Sequence, residues 1–210
     1  MKNKIVKTAK NRKLSKEEKH KRKLQIIWGI FISMIFIVGS LSYLAMDTNT
    51  NNLNSFEFNG YTFQYLQNQI TTTINDATLK FFITPFDAQK FNISIQSLIE
   101  ISNAKKVTIS VDPDSKYIST IGMASFYLQT DFLSIGKNAE FAAIKENSIN
   151  YSIVTCKNGS NENFVIEMID GNETKIERDS NCLRLISNQP YGHLILRDAL
   201  AYRLYGIVKD

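Results

Sequence analysis

Apolar positions divide the chain into unlike parts. From Leu24 to Met46 an apolar run, LQIIWGIFISMIFIVGSLSYLAM, holds no charged residue over 23 positions. A helix of that length rises about 34 Å, enough to cross a hydrocarbon core of roughly 30 Å. Trp28 and Tyr43 stand near its ends, where amphipathic rings settle at the headgroups. A buried core helix would show a polar face somewhere along such a length, so the run predicts a transmembrane span. The stretch that follows, Asp47 to Ser55 (DTNTNNLNS), has Leu53 as its single large apolar residue. It predicts a short linker.

From Phe56 the periods become those of a folded domain. FEFNGYTFQYL alternates apolar and polar residues around Asn59-Gly60, the pair that two-residue hairpin turns prefer. Thr78 to Thr84 predicts a third strand, closed by Pro85. In SIQSLIEIS, Ile95, Leu98, Ile99 and Ser102 recur at helical spacing. Lys105 to Val111 predicts a strand. A turn, DPDS, comes next, with Asp114 or Ser115 as cap of a helix to about Leu133 whose inner face is Ile118, Ile121, Ala124, Ser125 and Leu128. Short strands are expected near 140–145, 151–156, 163–169, 173–178 and 181–187, with Asp170-Gly171 as a second hairpin turn. A closing helix begins at about Gln189, capped by Asn188, with Leu196, Leu200, Leu204 and Ile207 as its apolar row. The fold class expected is α+β, with a βαβ-like unit in the middle, an antiparallel meander after it and a C-terminal helix.

Charge adds an orientation. Residues 1–24 carry 11 Lys or Arg against Glu17 and Glu18, and the remainder carries 14 against 18 acidic residues. The basic end precedes the span and the first charge after it is Asp47, which predicts residues 1–23 as a cytoplasmic tail and 47–210 as extracytoplasmic. The tail is expected to lie against anionic lipid, at about 1 kcal/mol per cation near the surface. A retained signal anchor, over 24–46, fits better than a cleaved signal peptide, because the apolar run is long and no A-x-A site follows it; cleavage after Ser42 is the alternative. The mildly acidic body lacks the basic excess that phosphate contacts need, so nucleic acid is not an expected partner.

Cys156 and Cys182 are the two cysteines of the chain. On the outer side of a membrane thiols oxidise, and the two stand at ends of predicted strands that flank the expected Asp170-Gly171 hairpin. A disulfide is therefore expected, stabilising the fold by about 3.5 kcal/mol on the chain-entropy model. Two free buried thiols, or metal or redox chemistry, are the alternatives. A zinc site lacks ligands, since His193 is the one outer histidine, and no cofactor or metal is expected. Asn-x-Ser/Thr sequons occur at Asn92, Asn150, Asn158 and Asn172, of which Asn158 and Asn172 fall in predicted turns and are the better acceptors for glycosylation.

Catalytic patterns are sparse. There is no G-x-S-x-G elbow for a serine centre around His193, and the outer glycines stand singly, so no phosphate-cradling loop is present. One stretch, VTISVDPDSKY, places Asp112 and Asp114 where a strand ends and a helix begins, the place where α/β sheets bind ligands. A strand ending in D-x-D resembles haloacid-dehalogenase phosphatases and metal-binding glycosyltransferases. The phosphatase pattern departs at Lys116, and no later acidic pair is apparent. The competing reading is a Pro-containing turn with a helix cap.

The pattern IVTC…IEMIDGNETKI…NCLRLIS…LRDALAYRLYGIVKD, over roughly the last 60 residues, resembles uncharacterised single-pass membrane proteins of small-genome archaea. The resemblance supports pairing of Cys156 with Cys182 and implies no activity. The expected function is thus a membrane-anchored, extracytoplasmic binding or assembly domain whose partners are the lipid bilayer and a protein of the cell envelope or a second copy of itself. The alternative is a hydrolase or transferase of envelope substrates using Asp112 and Asp114.

Overall fold

The computed structural model describes residues 54–146 and 150–209. The basic tail, the Leu24–Met46 run and most of the linker lie outside them. Among the described residues no helix is long and apolar enough to cross a membrane.

Four strands open the domain: β1 (Ser55–Phe58), β2 (Tyr61–Leu66), β3 (Gln69–Ile74) and β4 (Ala77–Phe81). They form an antiparallel sheet in the order β1-β2-β3-β4. Each connection is two residues long, and both residues of each have positive φ: Asn59-Gly60, Gln67-Asn68 and Asn75-Asp76. That backbone matches the right-handed twist of the flanking strands. The sequence signals two of these strands by aromatic alternation and a third at 78–84, but β3, QITTTI, is added by the structure, and β1 begins at Ser55 inside the expected linker. Phe58, Phe63, Ile70, Leu79 and Phe81 point to the buried side.

Thr84 caps a single turn, α1 (Pro85–Ala88), its hydroxyl accepting from the Asp87 N–H. Helix α2 (Ile95–Asn103) follows. It buries Ser97 and Ile101 and half-buries Leu98, while Ile95 and Ile99 face solvent, so the inner face is turned from the one expected.

The second sheet has five strands in the order β6-β5-β7-β9-β8. They are β5 (Lys106–Val111), β6 (Asn138–Ala143), β7 (Asn163–Asp170), β8 (Lys175–Arg178) and β9 (Cys182–Ser187). β5, β6, β7 and β9 run parallel, and only β8 is antiparallel, to β9. The central βαβ unit is β5, helix α3 (Ile118–Ser134) and β6. The antiparallel meander thus precedes this unit instead of following it. Asp170-Gly171 is no hairpin turn. The Gly171 N–H continues the β7–β9 pairing by donating to the Ser187 carbonyl at 3.0 Å, and a Cβ on Gly171 would stand 2.2 Å from the Ile186 side chain. Close approach of backbones, rather than a turn, requires this glycine.

Helices α2, α3 and α4 (Gly192–Leu204) contribute Ile101, Ile121, Leu128, Phe132, Leu196 and Leu200 to one face of the five-stranded sheet, against Val107, Ile109, Phe164, Ile166, Leu183 and Leu185. The opposite face holds the buried polar residues Thr108, Ser110 and Glu167 beside the apolar Val165 and Cys182. Residues 152–158 cover it. This strap makes one parallel bridge, Ala143 to Ile153, and a 3₁₀ turn at Cys156–Asn158 where a strand is expected over 151–156.

Helix α4 joins the two sheets. It starts at Gly192, after the expected Asn188 cap, and from there to Arg203 only Ile195 escapes full burial. Tyr202 stacks on Phe81 with centroids 4.0 Å apart and donates to the Ile83 carbonyl at 2.8 Å. Arg197 holds Asp131 of α3 through two hydrogen bonds of 2.7 and 2.6 Å and reaches Asp198 and the Lys80 carbonyl, each at 2.8 Å. Asp198 in turn accepts from the N–H groups of Phe82 and Ile83. Every charge in this buried set thus has a partner, which is what a low-dielectric interior demands.

Candidate functional site

Three places carry chemistry. The first is the carboxyl end of the parallel strands between β5 and β7, where the chain turns towards β6 on one side and β9 on the other. Such a switch point is where open α/β sheets receive ligands. Asp112 follows β5 and Asp170 ends β7. Lys145, just past β6, donates to Asp112 at 2.8 Å and to Asp114 at 3.0 Å. Those two hydrogen bonds, the one to Asp112 foremost, raise the Lys145 pKa. Asp112 also accepts from the Asp114 N–H at 3.0 Å, which closes the DPD turn. Asp170 accepts from the Ser115 hydroxyl at 2.6 Å and the Lys116 N–H at 3.3 Å.

Neither Asp114 nor Ser115 caps α3, which begins beyond Tyr117; the Ser115 hydroxyl accepts instead from the Tyr117 N–H. Three carboxylates therefore gather at one end of the sheet, Asp112 and Asp114 sharing Lys145 and Asp170 turned to Ser115 and the Lys116 N–H. Asp170 is the residue the sequence reading misses. Its position at the end of β7 is legible only once β7 is known to pair parallel to β5. His193 is buried, its Nε2 3.0 Å from the Ile169 carbonyl. Burial lowers its pKa, against the opposing pull of the Ile169 carbonyl and the Asp170 carboxylate.

The second place is the disulfide. Cys156 and Cys182 are bonded, with Cα atoms 5.3 Å apart, inside the 4.4–6.8 Å range that such bonds require. Val165 faces Cys182 across the β7–β9 ladder, so the bond fastens the strap to the sheet face opposite the helices. Strap and sheet are further joined by the Cys156 N–H, which donates to Glu167, and by the Ser110 hydroxyl, which donates to the Val154 carbonyl. Among the described residues, Cys156, Glu167 and Cys182 are the one group of potential metal ligands in mutual reach. The two sulfurs are bonded to each other, and Glu167 is engaged by Cys156 and by Arg184 at 3.1 Å. The donor set does not fit a metal ion.

The third place is the outer face of α3. Its inner side buries Ile121, Ala124, Ser125 and Leu128 as expected, with Phe132 added to them, but Ile118 is exposed. Outward stand Met123 (47% exposed), Phe126 (61%) and Leu133 (57%). Over 17 residues the sole charge of this helix is Asp131, which is buried against Arg197. The sequons Asn92, Asn150, Asn158 and Asn172 are all exposed.

Comparison with family models, with curated proteins and with solved structures gives no match.

Proposed function

We propose that the chain is a single-pass membrane protein whose outer domain binds or assembles through the exposed face of α3. The observation that carries the reading is the absence of any exposed charge on this helix. A solvated surface helix normally interleaves charges on its outer side, whereas this one presents Met123, Phe126 and Leu133. Contiguous apolar surface of this kind marks interaction sites.

The occupant is a second copy of the chain. Beyond residue 24 the chain carries four more acidic than basic residues, so identical domains repel over most of their surface but not where two neutral α3 faces meet. A helix of this length spans about 25 Å. It offers less than the roughly 800 Å² per partner of a standard interface, so association draws on the high effective concentration that anchoring in one membrane provides. The anchor and orientation rest on the Leu24–Met46 run and the basic residues before it. The enzymatic alternative has less support, because Asp112 and Asp114 are both held by Lys145.

Introduced cysteines test this reading. The native pair is closed and no other cysteine exists in the chain, so a new thiol stands alone. In native membranes Phe126→Cys is expected to crosslink into a dimer under mild oxidation, and Lys90→Cys on α1's flank is not. Equal crosslinking of both, or of neither, rejects the α3 interface.

A further inference from the structure

At the entrance to the meander, aromatic rings gather that the core only partly covers. The ring of Phe56 in β1 has its centroid 5.1 Å from Phe63, 5.4 Å from Tyr65 and 6.0 Å from Phe86. Phe86, in α1, also meets Phe58 edge-on at 4.9 Å. Phe58 and Phe63 are buried, but Tyr65 is 50% exposed and Phe86 54%. Leu66, next in the chain after Tyr65, is 59% exposed.

The patch is neutral as well as apolar. Strand alternation turns Glu57 to the face of β1 opposite Phe56 and Phe58. Asp87, which follows Phe86, is joined to Lys90 at 2.6 Å. Exposed aromatic rings clustered in this way mark an interaction surface.

Its place in the chain selects the occupant. The Tyr65 N–H donates to the Asn54 carbonyl at 2.8 Å, so the chain enters the domain alongside Tyr65. Eight residues separate Met46 from Ser55, and by covalent geometry they reach no further than about 30 Å. The patch is thereby kept close to any bilayer that Leu24–Met46 crosses. That bilayer is the one apolar partner which such an anchor brings to every copy of the domain. Tyrosine, with an apolar ring and a polar tip, suits the headgroup level, and Phe and Leu suit the boundary with the acyl chains.

We infer that Phe56, Tyr65, Leu66 and Phe86 seat the outer domain on the lipid surface, with Phe86 entering the headgroup and acyl boundary by about 5–10 Å. The inference rests on the membrane anchor proposed above and not on the α3 interface.

The test uses the full chain in phosphatidylcholine nanodiscs, with an environment-sensitive fluorophore on Phe86→Cys. The native cysteines are bonded to each other, so the new thiol is labelled alone. Asn138→Cys carries the comparison label. Asn138 is exposed on β6, at the sheet edge opposite β8, whose Ile176 packs against the meander core. The label at 86 is expected to emit as in an apolar medium and to be quenched by nitroxide lipids, more by a nitroxide near the headgroup than by one at the chain end. The label at 138 is expected to stay unquenched. Adding Tyr65→Ser to the first variant should weaken the quenching. Tyr65 is half exposed, so this chain is expected to melt as its parent does. Hydroxyl-radical footprinting of the unaltered chain checks the result without any substitution: Tyr65 should oxidise several-fold more slowly than Tyr191, which is 69% exposed.

Water-like emission at 86, equal quenching at 86 and 138, quenching unchanged by Tyr65→Ser, or equal oxidation of the two tyrosines overturns the proposal. Apolar emission at 86 without quenching by lipid overturns it too, since protein then covers the patch. A chain that does not enter the nanodisc overturns the anchor and this proposal together, whereas a chain that enters with an unquenched label at 86 overturns the seating alone.

Discussion

In the meander every strand pairs with the next one in sequence across a two-residue turn, while in the five-stranded sheet only β8 and β9 form a hairpin. The meander is made by local chemistry. Its turns hold six positive-φ residues, of which only Gly60 is glycine, and its aromatic face needs only one surface to cover it. The parallel sheet pairs residues far apart in sequence: β5 lies beside β7, with α3, β6 and the strap between them in the chain. Nothing local brings those strands together, so the helices, the strap and the disulfide must do it. Contacts closed over long loops cost chain entropy before they return any stability. The two sheets share α4, whose Tyr202 serves the meander while its Leu196 and Leu200 serve the parallel sheet.

The largest effect is expected where the two sheets are joined. Arg197→Ala leaves Asp131 and Asp198 buried without their guanidinium, which costs about 3–5 kcal/mol. Chemical denaturation should show that loss, and hydrogen exchange should show β4 and α3 losing protection together. If only one sheet loosens, α4 is not the shared support.

Removal of the disulfide separates the two regions. Cys156→Ser with Cys182→Ser is expected to cost about 3.5 kcal/mol on the chain-entropy model, with faster exchange in the strap, β7 and β9. Protection in β1–β4 should change only by the global loss. A preferential opening of the meander would contradict the division drawn between the sheets.

A smaller and opposite effect is expected at Gly60, whose φ is +82°. Alanine there meets no neighbouring atom within 4 Å, so the cost is backbone strain alone, about 1 kcal/mol. It should appear as earlier exchange of β1 and β2 with the parallel sheet untouched.

The finest comparison is in pH. His193 is buried at the β7–α4 contact, and burial lowers its folded pKa below the ordinary 6.5. Its contribution is therefore fully present above pH 6.5 and is lost as the pH falls towards the lowered folded value. Asp198, raised to about 6 chiefly by burial, works in the opposite direction over a neighbouring range. For this reason the measurement is a difference: the stability of the unaltered chain minus that of His193→Gln should fall between about pH 7 and pH 5, while each curve alone need not. A flat difference would mean that His193 keeps its ordinary pKa in the fold.

Much of the local structure is legible in the sequence because it depends on near neighbours. Asn59-Gly60 specifies its hairpin, and Ile121, Ala124 and Leu128 mark the inner face of α3, whereas the strand expected to run to Pro85 ends at Phe81 and Pro85 opens α1. β3 escapes notice because threonines replace the apolar alternation and its turns, Gln67-Asn68 and Asn75-Asp76, lack glycine. Asp170-Gly171 misleads because a glycine demanded by close packing reads like one demanded by a turn.

The expected bond between Cys156 and Cys182 is present, but not between two strand ends about a hairpin: Cys156 lies in the 3₁₀ turn of the strap and only Cys182 begins a strand. Sequence alone thus determined the α+β class, the C-terminal helix and the candidate carboxylates, and supplied the two cysteines. Tertiary structure decided that β7 lies beside β5 and β9, that Asp170 joins Asp112 and Asp114 at one end of a sheet, and that Arg197 and Asp198 turn inward on a helix whose leucine row alone looked buried. The reason is physical: a turn or an amphipathic face is settled by residues a few positions apart, whereas parallel pairing joins residues 17 to 57 positions apart and the buried Arg197 meets partners 66 and 117 positions away.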